Sequence, residues 1–265
     1  MPPKTVYYQD PLTDDFATLN IRTREVGPTF PYLRSSLLWR VLSSLVYYVI
    51  AVPIVFVISK VYLGLRFENR KVLRQLKNTG YFLYGNHTRS LDAFLPALSA
   101  FPKKAYVVAN PDAVSLPFLK NLVLMLGVIP IPNQFSGMRK FMRTVAERSR
   151  QGHCIAIFPE AHIWPFCTEI RPFPDTSFRY PVRESLPAVA MVTTYRRRRG
   201  LMRLIRRPAM TVTFSEPMYP RKDLTPKGAQ EDLRDRAYGF MTEIAATKEN
   251  IAYIQYKPAP EKSNK

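Results

Sequence analysis

An uncharged run of 18 residues, from Val41 to Ile58, restricts the fold of this 265-residue chain more than any other feature. As a helix with a rise of about 1.5 Å per residue it would be about 27 Å long, slightly short of a hydrocarbon core of roughly 30 Å. Pro53 lies inside the run and is expected to kink or break such a helix. We therefore predict a membrane-associated helix that lies in one leaflet rather than crossing the bilayer, with a buried core helix as the less favoured alternative.

The residues around this run divide the chain into three predicted parts. Interface-type aromatics accompany the run and cations flank it on both sides, so charge does not fix its orientation. We predict an N-terminal extension over residues 1–36, a membrane-associated helical segment over residues 37–66 and a soluble domain over residues 67–265. The extension is mixed in composition and contains prolines. We expect an extended arm with little regular structure, apart from a short helix after Thr13, and with Tyr7 and Tyr8 docked onto the body.

Alternating short apolar segments and amphipathic segments fill the third part. This pattern predicts an α/β fold, with a mixed sheet flanked by helices. The predicted strands are residues 81–84, 105–109, 128–131, 154–158, 187–193 and 208–215. The predicted helices are residues 69–78, 91–101, 116–126, 136–151 and 229–249.

The net charge of +19 requires an anionic partner. Nucleic acid, anionic lipid and small anionic substrates all fit such a charge, but the chain carries no helix-turn-helix, zinc-finger or RNP-type motif. The run from Arg196 to Arg207 contains seven arginines, no acid and several interleaved apolar residues. That mixture suits a surface resting on anionic headgroups, at about 1 kcal/mol per basic residue. We therefore expect a membrane lipid and no nucleic acid as partner.

The segment Asn86 to Asp92, N-H-T-R-S-L-D, follows a predicted buried strand and leads into a predicted helix. His87 lies at the strand end, and Ser90 is the expected helix N-cap. Asp92 then lies in the first turn, where a carboxylate suits the helix dipole. From there it can reach the imidazole, fix its tautomer and leave the other nitrogen free to take a proton. A loop histidine beside a helix-capping aspartate is the alternative interpretation.

A second acid and two cysteines complete the set of candidate groups. Glu160 follows the strand C-I-A-I-F and lies 73 residues after His87, at a strand end of the kind that places binding groups in α/β sheets. A loop-end glutamate is the alternative. Cys154 and Cys167 provide neither a disulfide framework nor zinc spacing, so we expect no metal and a reducing, cytosol-facing environment.

These motifs, in this order and spacing, resemble those of the glycerolipid acyltransferase family, of which the 1-acylglycerol-3-phosphate acyltransferases are the best known. The resemblance covers about residues 68–215, and the first motif in combination with the third is the most specific part. The matching segments, from the first motif to the fourth, are Asn86-His87 with Asp92, Gly127 to Ile131, Phe158 to Glu160, and Leu186 to Val189.

The resemblance implies transfer of an acyl group from acyl-CoA or acyl-carrier protein to a hydroxyl of a lysophospholipid. In that chemistry His87 is the general base and Asp92 orients it. Arg89 stabilises negative charge on donor or acceptor, unless it is a surface arginine, and Glu160 helps to position the acceptor. The acyl thioester is a substrate, and neither a metal nor another cofactor is implied. The implied location is a membrane, with the catalytic domain on the cytoplasmic face.

Two positions depart from the family pattern. The second motif usually ends in an arginine, where this chain has Asn133, and the third usually continues Gly-Thr-Arg, where this chain ends in Ile163. The missing arginines are the family's expected phosphate ligands, so the acceptor is left open. Arg171 is the first candidate substitute, followed by Arg139, Lys140 and His162. The alternatives are an acceptor without a phosphomonoester and a non-catalytic basic membrane-binding protein.

Overall fold

The computed structural model describes residues 3–17, 23–116 and 118–260. The strands in these ranges are β1 Lys4–Tyr8, β2 Arg66–Glu68, β3 Tyr81–Gly85, β4 Ala105–Ala109, β5 Val128–Pro130, β6 Cys154–Ile157, β7 Ala188–Arg196, β8 Ala209–Phe214 and β9 Ile254–Pro258. The helices are α1 Leu37–Tyr62, α2 Leu95–Ser99, α3 Lys120–Met125, α4 Met138–Arg150, α5 Arg179–Glu184 and α6 Pro226–Thr247.

Seven strands form the central sheet in the order β2-β8-β7-β3-β6-β4-β5. All neighbours are parallel except β7 and β8, so the predicted mixed sheet flanked by helices is confirmed. β3 is buried along its whole length, as expected for a strand of a parallel sheet covered on both faces. The carboxyl ends of β3, β4, β5 and β6 meet at one edge. The β7–β8 hairpin turns at that edge, which we call the carboxyl edge.

Pro53 was expected to kink or break helix α1, but the helix runs without interruption from Leu37 to Tyr62, so the expected break does not occur. The reason is the wide turn over Val46–Ala51, in which the N–H of Val52 bonds to the carbonyl of Tyr47, five residues earlier. A proline ring normally clashes with the carbonyl four residues before it. A wider turn immediately before the proline relieves that clash and lets the helix continue.

One side of α1 is fastened to the α/β domain along much of its length. The Ser43 hydroxyl donates to the Met125 carbonyl at 2.9 Å, and the Tyr48 hydroxyl donates to the Pro102 carbonyl at 3.0 Å. Near the other end, Ser59 is buried and the Arg198 side chain donates to the Tyr62 carbonyl. The opposite side is apolar and exposed, as Val49 with 65% of its surface accessible illustrates. The helix therefore lies along the domain rather than projecting from it.

The N-terminal arm contains a strand that the sequence did not predict. β1 pairs in parallel with β9, residue 4 opposite residue 254, which joins the two ends of the chain. Tyr8 packs on Trp164 with ring centroids 4.8 Å apart, and Tyr256 packs on the same ring at 4.7 Å. The expected helix after Thr13 is absent over residues 13–17, and residues 18–22 lie outside the described ranges. Tyr8 docks as predicted, whereas Tyr7 is 58% exposed.

Three predicted helices are shorter or tighter than expected. Residues 69–78 contain a 3₁₀ turn at Arg70–Leu76, and the helix expected over 116–126 is α3 alone. The segment 91–101 is a 3₁₀ turn at Ser90–Phe94 followed by α2. Pro96 explains this division, because proline is accommodated in the first turn of a helix but not in its interior. The N-cap of this turn is Arg89, not Ser90.

Candidate active site

The loop that follows β3 is fixed to the neighbouring strand by Asn86. The Asn86 side chain donates to the Thr193 carbonyl at 3.0 Å and accepts from the Thr193 N–H at 2.8 Å. Asn86 is 2% exposed, so these bonds replace those that its amide would make with water. This two-point attachment to β7 sets the position of His87 at the carboxyl edge.

Asp92 closes the same loop from within. Its carboxylate is fully buried, and its Oδ2 accepts from the N–H groups of Thr88 and Arg89, each at 2.7 Å. The Thr88 hydroxyl donates to the same oxygen at 3.2 Å and accepts from the Tyr195 hydroxyl at 2.7 Å. Burial raises the pKa of Tyr195 far above its usual value, and the Asp92 charge adds to this effect. The hydroxyls of Tyr195 and Thr88 therefore form a buried chain of hydrogen bonds that ends on the Asp92 carboxylate.

His87 faces this carboxylate without yet bonding to it. The distance from His87 Nδ1 to Asp92 Oδ2 is 3.7 Å, longer than a hydrogen bond. Within the described part of the chain, Nδ1 and the second carboxylate oxygen, Asp92 Oδ1, are both buried without a partner. The imidazole stacks on Phe158 with ring centroids 4.5 Å apart, and 14% of its side chain is exposed. A short movement joins donor and acceptor, and catalytic hydrogen bonds often tighten in this way when substrate binds.

Glu160, at the end of β6, holds the His87 loop from the other side. Its Oε2 accepts from the His87 N–H at 3.0 Å, and its Oε1 accepts from the Arg171 N–H at 3.1 Å. The residue is 5% exposed. Burial raises the pKa of the Glu160 carboxyl, while the Arg171 guanidinium and the two N–H donors act against that rise. Both carboxylate oxygens are therefore bound to protein groups.

Arg171 forms a buried ion pair with Glu160. Its Nη2 lies 3.0 Å from Glu160 Oε2 and also donates to the His162 carbonyl, and its guanidinium carbon lies 4.9 Å from the centre of the Trp164 ring. Arg171 is 4% exposed. In this structure it therefore holds the loop around residues 160–164 rather than facing solvent. A role in binding the acceptor's phosphate stays a prediction.

The remaining predicted binding residues lie at different distances from His87. Arg89 is 8% exposed, and its Nη1 contacts Met210 Sδ at 3.8 Å, so it is not a surface arginine. Arg139 is exposed at the start of α4, which follows β5, three strands from β3 in the sheet. Lys140 donates to the Pro28 carbonyl at 3.1 Å, and His162 Nδ1 lies 3.5 Å from Asp15 Oδ2. The structure thus brings Arg89 close to His87 and leaves Arg139 apart.

The N-terminal arm contacts both positions at which the chain departs from the family pattern. Asn133 Oδ1 accepts from the Val26 N–H at 2.9 Å, and its Nδ2 donates to the Arg24 carbonyl at 3.1 Å. The Ile163 carbonyl accepts from the Phe16 N–H at 3.2 Å. Protein therefore occupies the surroundings of both positions where arginines were expected. The two departures from the family pattern could be read from the sequence. The sequence did not predict that the N-terminal arm contacts both positions.

The cysteine thiols and metal-binding groups add no further reactive centre to this edge. Burial raises the pKa of Cys154 and of Cys167 to about 12 each, so both stay protonated near neutral pH. Across residues 3–17, 23–116 and 118–260, no three side chains of histidine, cysteine, aspartate or glutamate group as a metal site requires. Within the described residues, the buried side-chain atoms of the His87–Asp92 pair that lack a partner are His87 Nδ1 and Asp92 Oδ1.

Comparisons with known proteins identify the family to which this fold and these motifs belong. The fold is similar to the crystal structure of the 1-acyl-sn-glycerophosphate acyltransferase PlsC from Thermotoga maritima, with a TM-score of 0.53 and 15% sequence identity over 81% of this chain and 98% of that chain. None of the curated proteins compared with the chain matches it. The family model described as Acyltransferase matches residues 64–212, which include the His87 loop, Glu160 and both departures. The resemblance to the glycerolipid acyltransferases is thereby confirmed, and the chain belongs to the acyltransferase family.

Proposed function

We propose that the protein transfers a fatty acyl group from a thioester donor, acyl-CoA or acyl-carrier protein, to a hydroxyl of a lysoglycerolipid. The observation that carries the proposal is the approach of His87 Nδ1 to buried Asp92 Oδ2 at the carboxyl edge, 3.7 Å apart, with Nδ1 buried and unpartnered among the described residues. In a family of acyltransferases this is the pair suited to proton transfer. The similar Thermotoga maritima protein acts on 1-acyl-sn-glycerophosphate, which is the first acceptor to test.

His87 takes the acceptor's proton as the hydroxyl attacks the thioester carbonyl. With Nδ1 turned to Asp92, Nε2 is the nitrogen that receives the proton. The imidazolium then has the Asp92 charge beside it, in a buried setting where that interaction is stronger than in water. The new C–O bond forms, the C–S bond breaks, and the proton passes from His87 to the leaving thiolate. No covalent acyl-enzyme is needed, and neither protonated cysteine takes part.

The attachment of α1 supports binding to one leaflet of a membrane. Between Ser43 and Tyr62 the helix is held against the α/β domain, so a helix perpendicular to the bilayer would draw that domain into the hydrocarbon. Lying in the interface, α1 places its exposed apolar side in the acyl region while the bonded side stays with the domain. Phe158, on which His87 stacks, belongs to the core on the same sheet face as α1. The catalytic face is thus directed to the membrane, and we assign it to the cytoplasmic side.

A second candidate acceptor is a glycerolipid without a terminal phosphomonoester. The contacts that favour it are those of the arm with Asn133 and Ile163, together with Asp15, which lies beside His162. A carboxylate in that region repels a phosphate, and the arm fills space that the family uses for its arginines. The two acceptors differ only in where, or whether, a phosphate is held. The chemistry of His87 is the same for both.

The test is a transfer assay with the full chain in vesicles, a radiolabelled acyl thioester and a panel of lysolipids of equal chain length. The panel contains 1-acylglycerol-3-phosphate, lysophosphatidylcholine and monoacylglycerol. Labelled diacyl product from any acceptor supports the enzyme, and the preferred acceptor separates the two candidates. Tight vesicle binding without transfer from acyl-CoA or from acyl-carrier protein contradicts the proposal and favours a non-catalytic membrane-binding protein.

A further inference from the structure

A cationic cavity of about 430 Å³ opens where the β7–β8 hairpin meets the end of α1. Its lining includes six cations and one carboxylate, Glu249. The carboxylate offsets one of these charges, and its Oε1 accepts from the Arg197 N–H at 2.8 Å. The volume falls within the roughly 300–1,000 Å³ usual for small-molecule sites. The cations that line the cavity are Lys60, Arg66, Arg196, Arg197, Arg198 and Arg199.

Arg198 forms part of the wall of this cavity and does not use all of its hydrogen-bond donors. It is 8% exposed. Its Nε donates to the Arg207 carbonyl at 2.7 Å, and its Nη2 donates to the Tyr62 carbonyl. Within the described residues its Nη1 is buried without a partner, and so is the Nε of Arg196. Buried charged donors left unpaired are costly, and an anion in the cavity would satisfy both.

The cations also crowd one another. Burial lowers the pKa of Arg198, and the charges of Arg196 and Arg89 lower it further. Burial likewise lowers the pKa of Arg196, with Arg66 adding to the effect and Glu249 and Glu68 opposing it. Since arginine keeps its proton at any physiological pH, this repulsion is stored in the folded protein. Binding of a multiply charged anion relieves it.

The cavity lies between the candidate active site and the membrane helix. On β7, Tyr195 bonds to Thr88 of the His87 loop and the next residue, Arg196, lines the cavity. On β8, Met210 contacts Arg89 and the preceding residue, Ala209, lines the cavity. On the outer side, Leu201 and Leu204 of the hairpin turn are 88% and 86% exposed, beside the end of α1. The cavity lining is therefore one residue along β7 and β8 from the contacts that hold the His87 loop.

We propose that this cavity binds a phosphate group of a substrate, in place of the arginines that Asn133 and Ile163 replace. The inference rests on the proposed acyl transfer for the identity of the substrate. The phosphate belongs either to the lysolipid acceptor or to the carrier part of the thioester donor. Arginine donors in a partly buried cavity suit phosphate oxygens, which accept charge-assisted hydrogen bonds. The positive charge that Asn133 and Ile163 do not supply thus comes from the arginines of the β7–β8 hairpin, at the other side of the carboxyl edge.

The test uses Arg66→Gln combined with Arg199→Gln in the full chain. Both residues line the cavity and are exposed, and within the described residues neither side chain donates a hydrogen bond, so the fold should tolerate the change. The matched control is Lys222→Gln combined with Lys257→Gln, which removes the same charge from two exposed positions outside this cavity. KM is measured for each substrate separately in uncharged vesicles. We expect the cavity variant to raise the KM of one substrate at least about tenfold, since each charge-assisted bond contributes roughly 1.5–3 kcal/mol.

The substrate whose KM rises identifies the phosphate. A rise for 1-acylglycerol-3-phosphate but not for monoacylglycerol assigns it to the acceptor, and a rise for acyl-CoA assigns it to the donor. A second measurement needs no turnover: inorganic pyrophosphate should raise the Tm of the wild type and of the control, and raise that of the cavity variant less. The pyrophosphate measurement stands even if no acyl transfer is detected. Equal Tm shifts in the control and the cavity variant, or unchanged KM values for both substrates, overturn the site.

Discussion

The two acid–base pairs at the carboxyl edge differ in whether their two side chains are bonded to each other. Glu160 and Arg171 are bonded to each other at 3.0 Å, and the Glu160 oxygens also accept backbone N–H groups. His87 and Asp92 are 3.7 Å apart, each with an unpartnered atom. In the closed pair both Glu160 oxygens are bonded, although Arg171 Nε and Nη1 are buried without a partner among the described residues. In the open pair neither side chain is bonded to the other, which leaves capacity for a proton. We therefore propose a structural role for the closed pair and a catalytic role for the open pair.

The largest expected effect is on catalysis by the open pair. His87→Ala should lower kcat by ~10²–10⁴-fold, the usual contribution of a general base, and leave Tm nearly unchanged because the imidazole is bonded to nothing through its ring. Steady-state transfer kinetics and thermal unfolding check both parts. His153→Ala is the matched histidine control, since His153 precedes β6 at the opposite edge of the sheet. A near-wild-type kcat in a folded His87→Ala protein would remove His87 from the mechanism.

The closed pair should show the reverse pattern. Arg171→Met leaves Glu160 charged and buried, which typically costs about 3–5 kcal/mol in the free energy of unfolding. Urea denaturation measures the loss, and adding Glu160→Gln to the same chain should restore part of it. If Arg171 instead binds the acceptor's phosphate, Arg171→Met will raise the acceptor's KM with little loss of stability. That result would show that Arg171 is available to bind a substrate, as His87 is.

A smaller effect is expected from Asp92→Asn. The amide oxygen can still accept the N–H groups of Thr88 and Arg89, so the loop should keep its shape. The imidazolium loses a neighbouring charge, and a hydrogen bond to a charged group is worth about 1.5–3 kcal/mol. We therefore expect kcat to fall about 10- to 100-fold while KM stays nearly constant. A loss of folding instead would show that Asp92 serves the loop alone.

The smallest effect concerns a group outside both pairs. Burial lowers the pKa of His153 to about 4, with Arg148 and Lys104 adding to the shift. The unfolded chain takes up this proton near pH 6.5 and the folded chain only near pH 4, so stability is complete above pH 6.5 and falls as pH decreases from 6.5 to 4. His153→Gln should remove this part of the pH dependence of urea unfolding. An unchanged slope would indicate that the carboxyl-edge groups cause it.

The sequence predicted what depends on local apolar patterns and spacing. β4 was predicted with its observed bounds, because an isolated apolar run between polar turns has one interpretation. His87 and Asp92 were predicted to meet because a strand end and the first turn after it are always close. The open state of that pair was not predictable, since it depends on Asn86 bonding to β7 and on Glu160 bonding to the loop. These contacts join residues far apart in the chain.

The same reasoning explains what was missed. β1 and β9 are short and partly polar, K-T-V-Y-Y and I-Q-Y-K-P, and each is a strand only because the other pairs with it. Arg171 was singled out by its distance from Glu160 along the chain, but spacing could not show that it turns back to that glutamate. The arginine run was predicted to face a membrane, whereas its fold into a cavity wall depends on Gly64. The backbone there is left-handed, with φ of +58°, and brings Arg198 against it.

The β1–β9 pairing sets an order of events during synthesis. The segment beside the His87 loop is held by the arm, through Trp164 and Asp14, and by the end of the chain, through Tyr256 and Pro165. β1 is synthesised long before β9 and has no partner strand until residues 254–258 emerge. By that time α1 has long been available to the bilayer. If α1 binds the membrane as proposed, a newly made chain reaches it before the candidate catalytic edge is complete, since contacts of high sequence separation are the slowest to form.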